Sequence, residues 1–256
     1  MSPEQSWSLE GRMALVTGGA VGIGRAVALA LGKAGAVLGI HYHRSRDEAE
    51  ALLGELEGLS IRGFLVHADL TQENQVEHVI SEVINYGGRL DIVVNNAGGM
   101  VKRSRIEETS VEDWRQSIDL NATSAFLVCK HAAPHLRATG NGSIINILSL
   151  SVQTGGANGA GAYAAGKGAL TVLTRTLARE LAPQVRTNSV MPGTVETQHH
   201  EVFSTPEMME NYKKQTPLGR NARAEEIAGS VVFLASDLAS HINGALIDVS
   251  GGRFLR

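Results

Sequence analysis

Cysteine occurs once in 256 residues, at Cys129, so the chain cannot build an internal disulfide framework, and a reducing cytoplasm is its expected compartment. Cys129 stands in the apolar run Phe126-Leu127-Val128-Cys129, where a free thiol packs as a small hydrophobe, so a core position is expected rather than a nucleophile. An excess of positive charge is missing as well. Lysine and arginine number 23 against 26 acidic residues, a formal net charge of -3, which provides no footprint for a phosphate backbone and argues against nucleic acid as a partner. No apolar run reaches the roughly 18 residues of a transmembrane helix. The segment Met1 to Gly11, with Pro3, Glu4, Gln5 and Glu10, lacks the apolar block of a secretory signal. There is no Pro- or Ser-rich linker, no repeat and no shift of composition, so a single domain over residues 1–256 is expected.

What the chain does have is a recurrence of short, almost continuously apolar runs. They fall at 13–16, 36–40, 63–66, 91–94, 142–147, 186–190 and 245–249. Such runs suit strands buried on both faces of a parallel sheet. Between them lie helical patterns: Ile23, Val27, Ala30 and Leu31 within 23–34, Val76, Val79, Ile80 and Val83 within 72–86, and Leu170, Leu173, Leu177 and Leu181 within 162–182. Repeated strand–helix alternation predicts an α/β fold: a doubly wound, parallel, seven-stranded sheet with helices on both faces. Ligands of such sheets bind at the carboxyl ends of the strands, so functional residues are expected just after the apolar runs.

After the first run comes Thr17-Gly18-Gly19-Ala20-Val21-Gly22-Ile23-Gly24, leading into a helix. Glycines let the backbone turn sharply against a pyrophosphate, and the helix N-terminus attracts its charge. The spacing Thr-Gly-x-x-x-Gly-Ile-Gly resembles the nucleotide loop of the single-domain short-chain dehydrogenase/reductases. Further motifs of that family follow in order over about residues 9–252. Asp69-Leu70 resembles its adenine-contacting pair. Asn95-Asn96-Ala97-Gly98 resembles the motif that lies along the cofactor and braces the sheet. Pro192-Gly193, with Val195 and Thr197, resembles the segment that holds the nicotinamide carboxamide. The resemblance implies a Rossmann fold and a nicotinamide dinucleotide. An acid at the end of the second strand would select NAD(H), but Tyr42 stands in that place and no acid precedes Asp47. Arg44 and Ser45 are suitably placed for a 2′-phosphate, so NADP(H) is favoured over NAD(H), although Val21 stands where a second basic marker would be. The alternative is that Arg44 and Arg46 solvate a loop and pair with Asp47 or Glu48.

Interconverting an alcohol and a carbonyl by hydride transfer needs an acid that can protonate an alkoxide. Free tyrosine, with a pKa of about 10, becomes suitable when a lysine ammonium beside it favours the phenolate. Tyr163 and Lys167 are four apart at the start of a helical pattern and share a face. Ser149, after the fifth run, resembles the family's catalytic serine, and is preferred over Ser151. It lies fourteen positions before Tyr163, a spacing that the glycine-rich segment 155–161 absorbs. Asn121 resembles the family asparagine that kinks a helix and holds a water linking the lysine to solvent.

The substrate is less legible. Glu196 to Arg220, with His199, His200, Phe203, Met208, Met209 and Tyr212, is expected to be a mobile lid. His199-His200 lacks a third ligand, so no metal is expected. Lys102-Arg103-Ser104-Arg105 suits either a solvated face or an acidic substrate or carrier protein. Reduction of a 3-oxoacyl thioester or other ketone and oxidation of a sugar or polyol both fit the family. An epimerase or dehydratase would need a larger substrate region than this chain has, and a silent dinucleotide sensor would not need Ser149, Tyr163 and Lys167. The family also implies a homotetramer formed through the helices near 111–137 and 162–182.

Overall fold

A computed structural model of the protein describes residues 7–156 and 158–255, with the His199 side chain left aside. Pro3, Glu4 and Gln5 and Ala157 therefore lie outside the described residues. Seven strands are formed among them: β1 (Met13–Val16), β2 (Val37–Tyr42), β3 (Gly63–His67), β4 (Ile92–Asn95), β5 (Gly142–Ile147), β6 (Val185–Pro192) and β7 (Leu246–Val249). They make one sheet in the order β3-β2-β1-β4-β5-β6-β7, and all pairs are parallel. The helices are α1 (Gly22–Lys33), α2 (Arg46–Gly58), α3 (Glu73–Gly87), α4 (Val111–Ile118), α5 (Ser124–Thr139), α6 (Ser151–Thr154), α7 (Gly161–Glu180), α8 (Gln198–Phe203), α9 (Pro206–Lys214) and α10 (Ala224–Ala235).

Strand residues alternate between the two faces, so each strand needs apolar side chains at nearly every position. Ala14 and Val16 of β1, Leu38 and Ile40 of β2 and Ile92 and Val94 of β4 pack with Leu31 of α1, Leu52 of α2 and Val231 of α10. Met13, Leu15 and Val93 face the other way, against Val76 and Val83 of α3, Leu136 of α5 and Leu177 of α7. Cys129 belongs to this second core. The predicted doubly wound sheet is thus the observed one.

Two strands run further than their apolar runs. β2 continues through His41 and Tyr42 because they pair with Val66 and His67 of β3. β6 reaches Pro192, which pairs with Val249 of β7. Pairing with a neighbour, rather than hydrophobicity, sets those ends. The segment expected as a lid loop contains α8 and α9 instead; Thr205 caps α9 by accepting the Met208 N–H, and Pro206 stands at its first turn. Between α4 and α5 the helix widens into a π turn over Asp119–Thr123. Strand order reverses beside β1, where connections leave toward β2 on one side and β4 on the other. That is where an α/β sheet opens a crevice.

Candidate active site

A cavity of about 1050 Å³ opens above the carboxyl ends of the strands, at the upper end of the ~300–1,000 Å³ usual for ligand pockets. One end is built by the glycine loop. Gly18, Val21, Gly22 and Ile23 line it, and Val21 at the N-cap of α1 supplies no side-chain cap and no acid follows in the first turn. Helix N–H groups are therefore presented to the cavity, a ready site for an anion. Gly24 does not line it; its role is packing. A Cβ there would stand 2.1 Å from the Gly18 carbonyl oxygen and 2.5 Å from Asn96 Nδ2.

Neighbouring strands hold the loop in place. Thr17 Oγ1 accepts the N–H groups of Asn96 and Ala97, both at 3.0 Å, and Asn96 Nδ2 donates to the carbonyls of Thr17 and Gly18. A further brace was not anticipated from the sequence. His41, 2% exposed, accepts the Gly18 N–H on Nδ1 at 3.1 Å, and its Nε2 donates to the Ala68 carbonyl at 3.0 Å. Burial lowers its pKa to about 4, so the ring is neutral and both bonds are available. The signal was a polar residue in an otherwise buried strand.

His41, His43, Arg44 and Ser45 reach the cavity, together with Asp69 and Leu70. Tyr42 does not. Successive strand residues point to opposite sides, so His41 and His43 face the cavity while Tyr42 packs its ring 5.3 Å from that of His67. Arg44 has no ion-pair partner among the described residues, whereas Arg46 pairs with Glu50 at 2.8 Å. Burial pushes the Asp69 carboxyl up, but hydrogen bonds from the Thr71 N–H and hydroxyl outweigh it and hold it below the usual range.

Asn96, Ala97, Gly98, Ile147, Ser149, Tyr163 and Lys167 line the floor, with Pro192, Gly193, Val195 and Thr197 opposite. Ser149 hydrogen-bonds Tyr163. Ser151 also lines the cavity, but its hydroxyl donates to Ser149 Oγ at 3.0 Å. Ser149 thus bonds both the tyrosine and Ser151. The chain returns from Ser149 to Tyr163 through left-handed residues at Gly155, Gly156, Asn158 and Gly159, which absorb the long spacing.

Lys167 is 3% exposed and donates from Nζ to the Ile147 carbonyl at 2.9 Å. Burial lowers its pKa to about 8. Burial likewise raises the Tyr163 phenol, against the opposing hydrogen bond with Ser149. Desolvation thus acts on the phenol in the opposite direction to the lowering expected from Lys167.

Asn121 is fully buried and does not line the cavity. It lies in the π turn and clamps the main chain of Gly99, accepting its N–H at 2.9 Å and donating to its carbonyl at 2.8 Å. A Cβ on Gly98 would meet Asn121 Oδ1 at 2.7 Å and Lys167 Nζ at 2.8 Å, so this clamp adjoins the lysine. Behind the floor, Asn95 Nδ2 donates to Asn146 Oδ1 and Asn146 Nδ2 to Thr174 Oγ1 of α7. Cys129, 1% exposed with its thiol pushed up to about 12 by burial, is inert core.

The far end is roofed by α8 and α9. Arg103 does not belong to a solvated face: it lines the cavity and donates to the main-chain carbonyls of Phe203 at 3.1 Å and Asn158 at 2.6 Å. Lys102 pairs with Asp113 and Arg105 with Glu107.

Residues 18–253 match the family model described as enoyl-(acyl carrier protein) reductase. An uncharacterized oxidoreductase of Methylorubrum extorquens is 38% identical over 247 residues, 95% of this chain and 98% of the relative. The 3-oxoacyl-[acyl-carrier-protein] reductase of Staphylococcus epidermidis is 34% identical over 95% of this chain and 99% of its own length. Among solved structures, a 7α-hydroxysteroid dehydrogenase complexed with NADH and 7-oxo glycochenodeoxycholic acid superposes with a TM-score of 0.93, at 30% identity over 98% of both chains. A gluconate 5-dehydrogenase from Burkholderia cenocepacia, in complex with NADP and tartrate, superposes with 0.90 at 32% identity, again over 98% of both. No helix among the described residues is long and apolar enough to cross a membrane.

Proposed function

Because the chain belongs to the short-chain dehydrogenase/reductases and is an NAD(P)-dependent oxidoreductase acting on CH–OH groups, we propose that Ser149, Tyr163 and Lys167 carry its proton transfer. The observation behind this is the Ser149–Tyr163 hydrogen bond on the cavity floor, with Lys167 one helical turn away. Ser149 and Tyr163 hold the carbonyl oxygen between two hydroxyl donors. A bound dihydronicotinamide supplies the hydride that forms the new C–H bond. The former π pair goes to oxygen, and Tyr163 donates the proton that completes the alcohol; oxidation is the reverse. A phenol raised by burial is in the protonated form that reduction requires.

The glycine loop, with its uncapped helix N-terminus and the absence of space at Gly24, fits a dinucleotide pyrophosphate. We assign Gly18, Gly22 and Ile23 to the pyrophosphate, Asp69 and Leu70 to the adenosine end, and Pro192, Gly193, Val195 and Thr197 to the nicotinamide end. Asn96, Ala97 and Gly98 run along the dinucleotide between them. Arg44 and Ser45 select the 2′-phosphate, so NADP(H) is favoured over NAD(H). The absence of an ion-pair partner for Arg44 among the described residues supports this. Asn121 holds the π turn and the water of the proton relay. Exposed Val111, Trp114, Phe126 and Val172 on α4, α5 and α7 support a homotetramer, and the single buried cysteine supports a cytoplasmic location.

The test is a panel of ketones, 3-oxoesters, sugars and polyols, followed by nicotinamide absorbance with both cofactors. Turnover is expected on at least one substrate, faster with NADP(H), and abolished in Tyr163→Phe. Unchanged turnover in that variant refutes the proton-transfer assignment, and a clear NADH preference refutes Arg44.

A further inference from the structure

Charge is sorted across the roof of the cavity. Residues 196–215 contain four carboxylates, Glu196, Glu201, Glu207 and Glu210, and none of them lines it. Asn211, Tyr212 and Gln215 of the same segment do line it, and beside them stands Arg253, from the loop after β7.

The surroundings of Arg253 are polar but uncharged. One guanidinium nitrogen donates to Thr194 Oγ1 at 2.7 Å and another to Gln215 Oε1 at 3.0 Å, while the plane lies 4.5 Å from the centre of the Tyr212 ring. No carboxylate lies within ion-pair distance among the described residues. A guanidinium carries five N–H donors, so these contacts fix its orientation and leave part of its fork uncommitted. Partial burial without a counter-ion costs free energy, and an anion arriving in the cavity would offset that cost. The position is specific. Thr194 directly follows Pro192-Gly193, so Arg253 bridges the end assigned to the nicotinamide and the helix roof. Arg103, the other cation on this side, is committed to two main-chain carbonyls.

We propose that Arg253 binds a carboxylate of the substrate, and that the enzyme prefers a short oxo acid or hydroxy acid to a neutral ketone, sugar or thioester. This rests on the oxidoreductase assignment above and adds the substrate class to it. A planar carboxylate matches the guanidinium fork with two parallel hydrogen bonds, which fixes the distance between the charged group and the reacting carbon.

The experiment compares 2-oxobutanoate, 3-oxobutanoate, 4-oxopentanoate and 5-oxohexanoate, each against its methyl ester, with NADPH and with NADH. At least one acid is expected to exceed its ester by about tenfold or more in kcat/KM. That ratio is expected to fall about tenfold in Arg253→Gln and to recover in part in Arg253→Lys. Malonate is expected to inhibit the wild-type enzyme competitively against the oxo acid, and neutral malonamide to inhibit it at least tenfold less. Esters preferred throughout the series, or a ratio unchanged in Arg253→Gln, overturn the assignment while leaving the oxidoreductase reading intact. A raised KM for the dinucleotide with the acid-to-ester ratio unchanged overturns it too, and gives Arg253 to the cofactor. Absence of turnover on these and on the neutral panel removes both.

Discussion

Replacing Lys167 with methionine is expected to make the protein more stable at neutral pH and inactive. The lysine is almost fully buried, and its pKa falls from 10.5 to about 8 on folding. A depression of about 2.5 units, at ~1.4 kcal/mol per unit, corresponds to about 3 kcal/mol of destabilisation. Its sign follows from proton binding: between the two pKa values the unfolded chain holds a proton that the folded one has released. The penalty is therefore complete below about pH 8 and fades as pH rises toward about 10.5. Methionine has a similar length and fills the channel without charge. It also leaves the Ile147 carbonyl without its donor, a loss of about 1 kcal/mol. The net expectation is a variant about 2 kcal/mol more stable near pH 7, with the advantage shrinking through about pH 9 and vanishing near pH 10. Urea denaturation of both proteins across that range measures it, with turnover assayed in parallel. A stability difference that stays flat with pH, or grows with it, would refute the reasoning, because Tyr163, whose free phenol ionises near pH 10, is common to both proteins.

Ser149→Ala is expected to reduce turnover by about 100-fold or more, and Ser151→Ala by no more than about threefold, because Ser149 bonds the tyrosine while Ser151 donates to Ser149; steady-state kinetics with inverted effects would exchange their roles. Burial holds His41 neutral down to about pH 4, against 6.5 when free. The wild-type protein should therefore lose about 3 kcal/mol of stability as pH falls through this interval, where the unfolded chain takes up the proton first. His41→Leu should lack that acid-side slope and bind the dinucleotide about tenfold more weakly, since the Gly18 N–H loses its acceptor; calorimetric titration with NADPH and NADH, and denaturation at several acidic pH values, check both. Gly24→Ala drives a methyl into the Gly18 carbonyl and should cost upwards of about 3 kcal/mol with loss of dinucleotide binding. A variant with wild-type melting temperature and affinity would show that the loop yields easily.

The sheet was readable because strands covered on both faces must be apolar throughout, and the runs at 13–16 and 142–147 coincide with β1 and β5. The glycine loop and the Tyr163–Lys167 spacing were readable for a related reason: both are local, one set by a turn and the other by a helical face. Features that depend on distant partners were not. Motif alignment puts Tyr42 at the selecting position but does not report which way a strand residue points, whereas the extension of β2 turns His41 and His43 inward. The two roof helices carry little periodic signal, because α8 has six residues and α9 is mostly polar. Arg253 has no motif around it; only the folded chain brings it to Thr194 and Gln215. The direction of the Tyr163 shift depended on how deeply the pair is buried, which spacing does not encode.

Arg103 holds the roof through main-chain oxygens of Phe203 and Asn158, and a backbone carbonyl is the same whichever side chain follows it. The fastening at residue 203 thus does not use its side chain, although Phe203 lies on the cavity wall, whereas residue 158 must also hold a left-handed backbone. Mutations at position 203 can reshape the volume offered to a substrate without removing the carbonyl that Arg103 holds. What the site accepts and how its roof is fastened are in this respect separable properties of one residue, its side chain serving the first and its carbonyl the second.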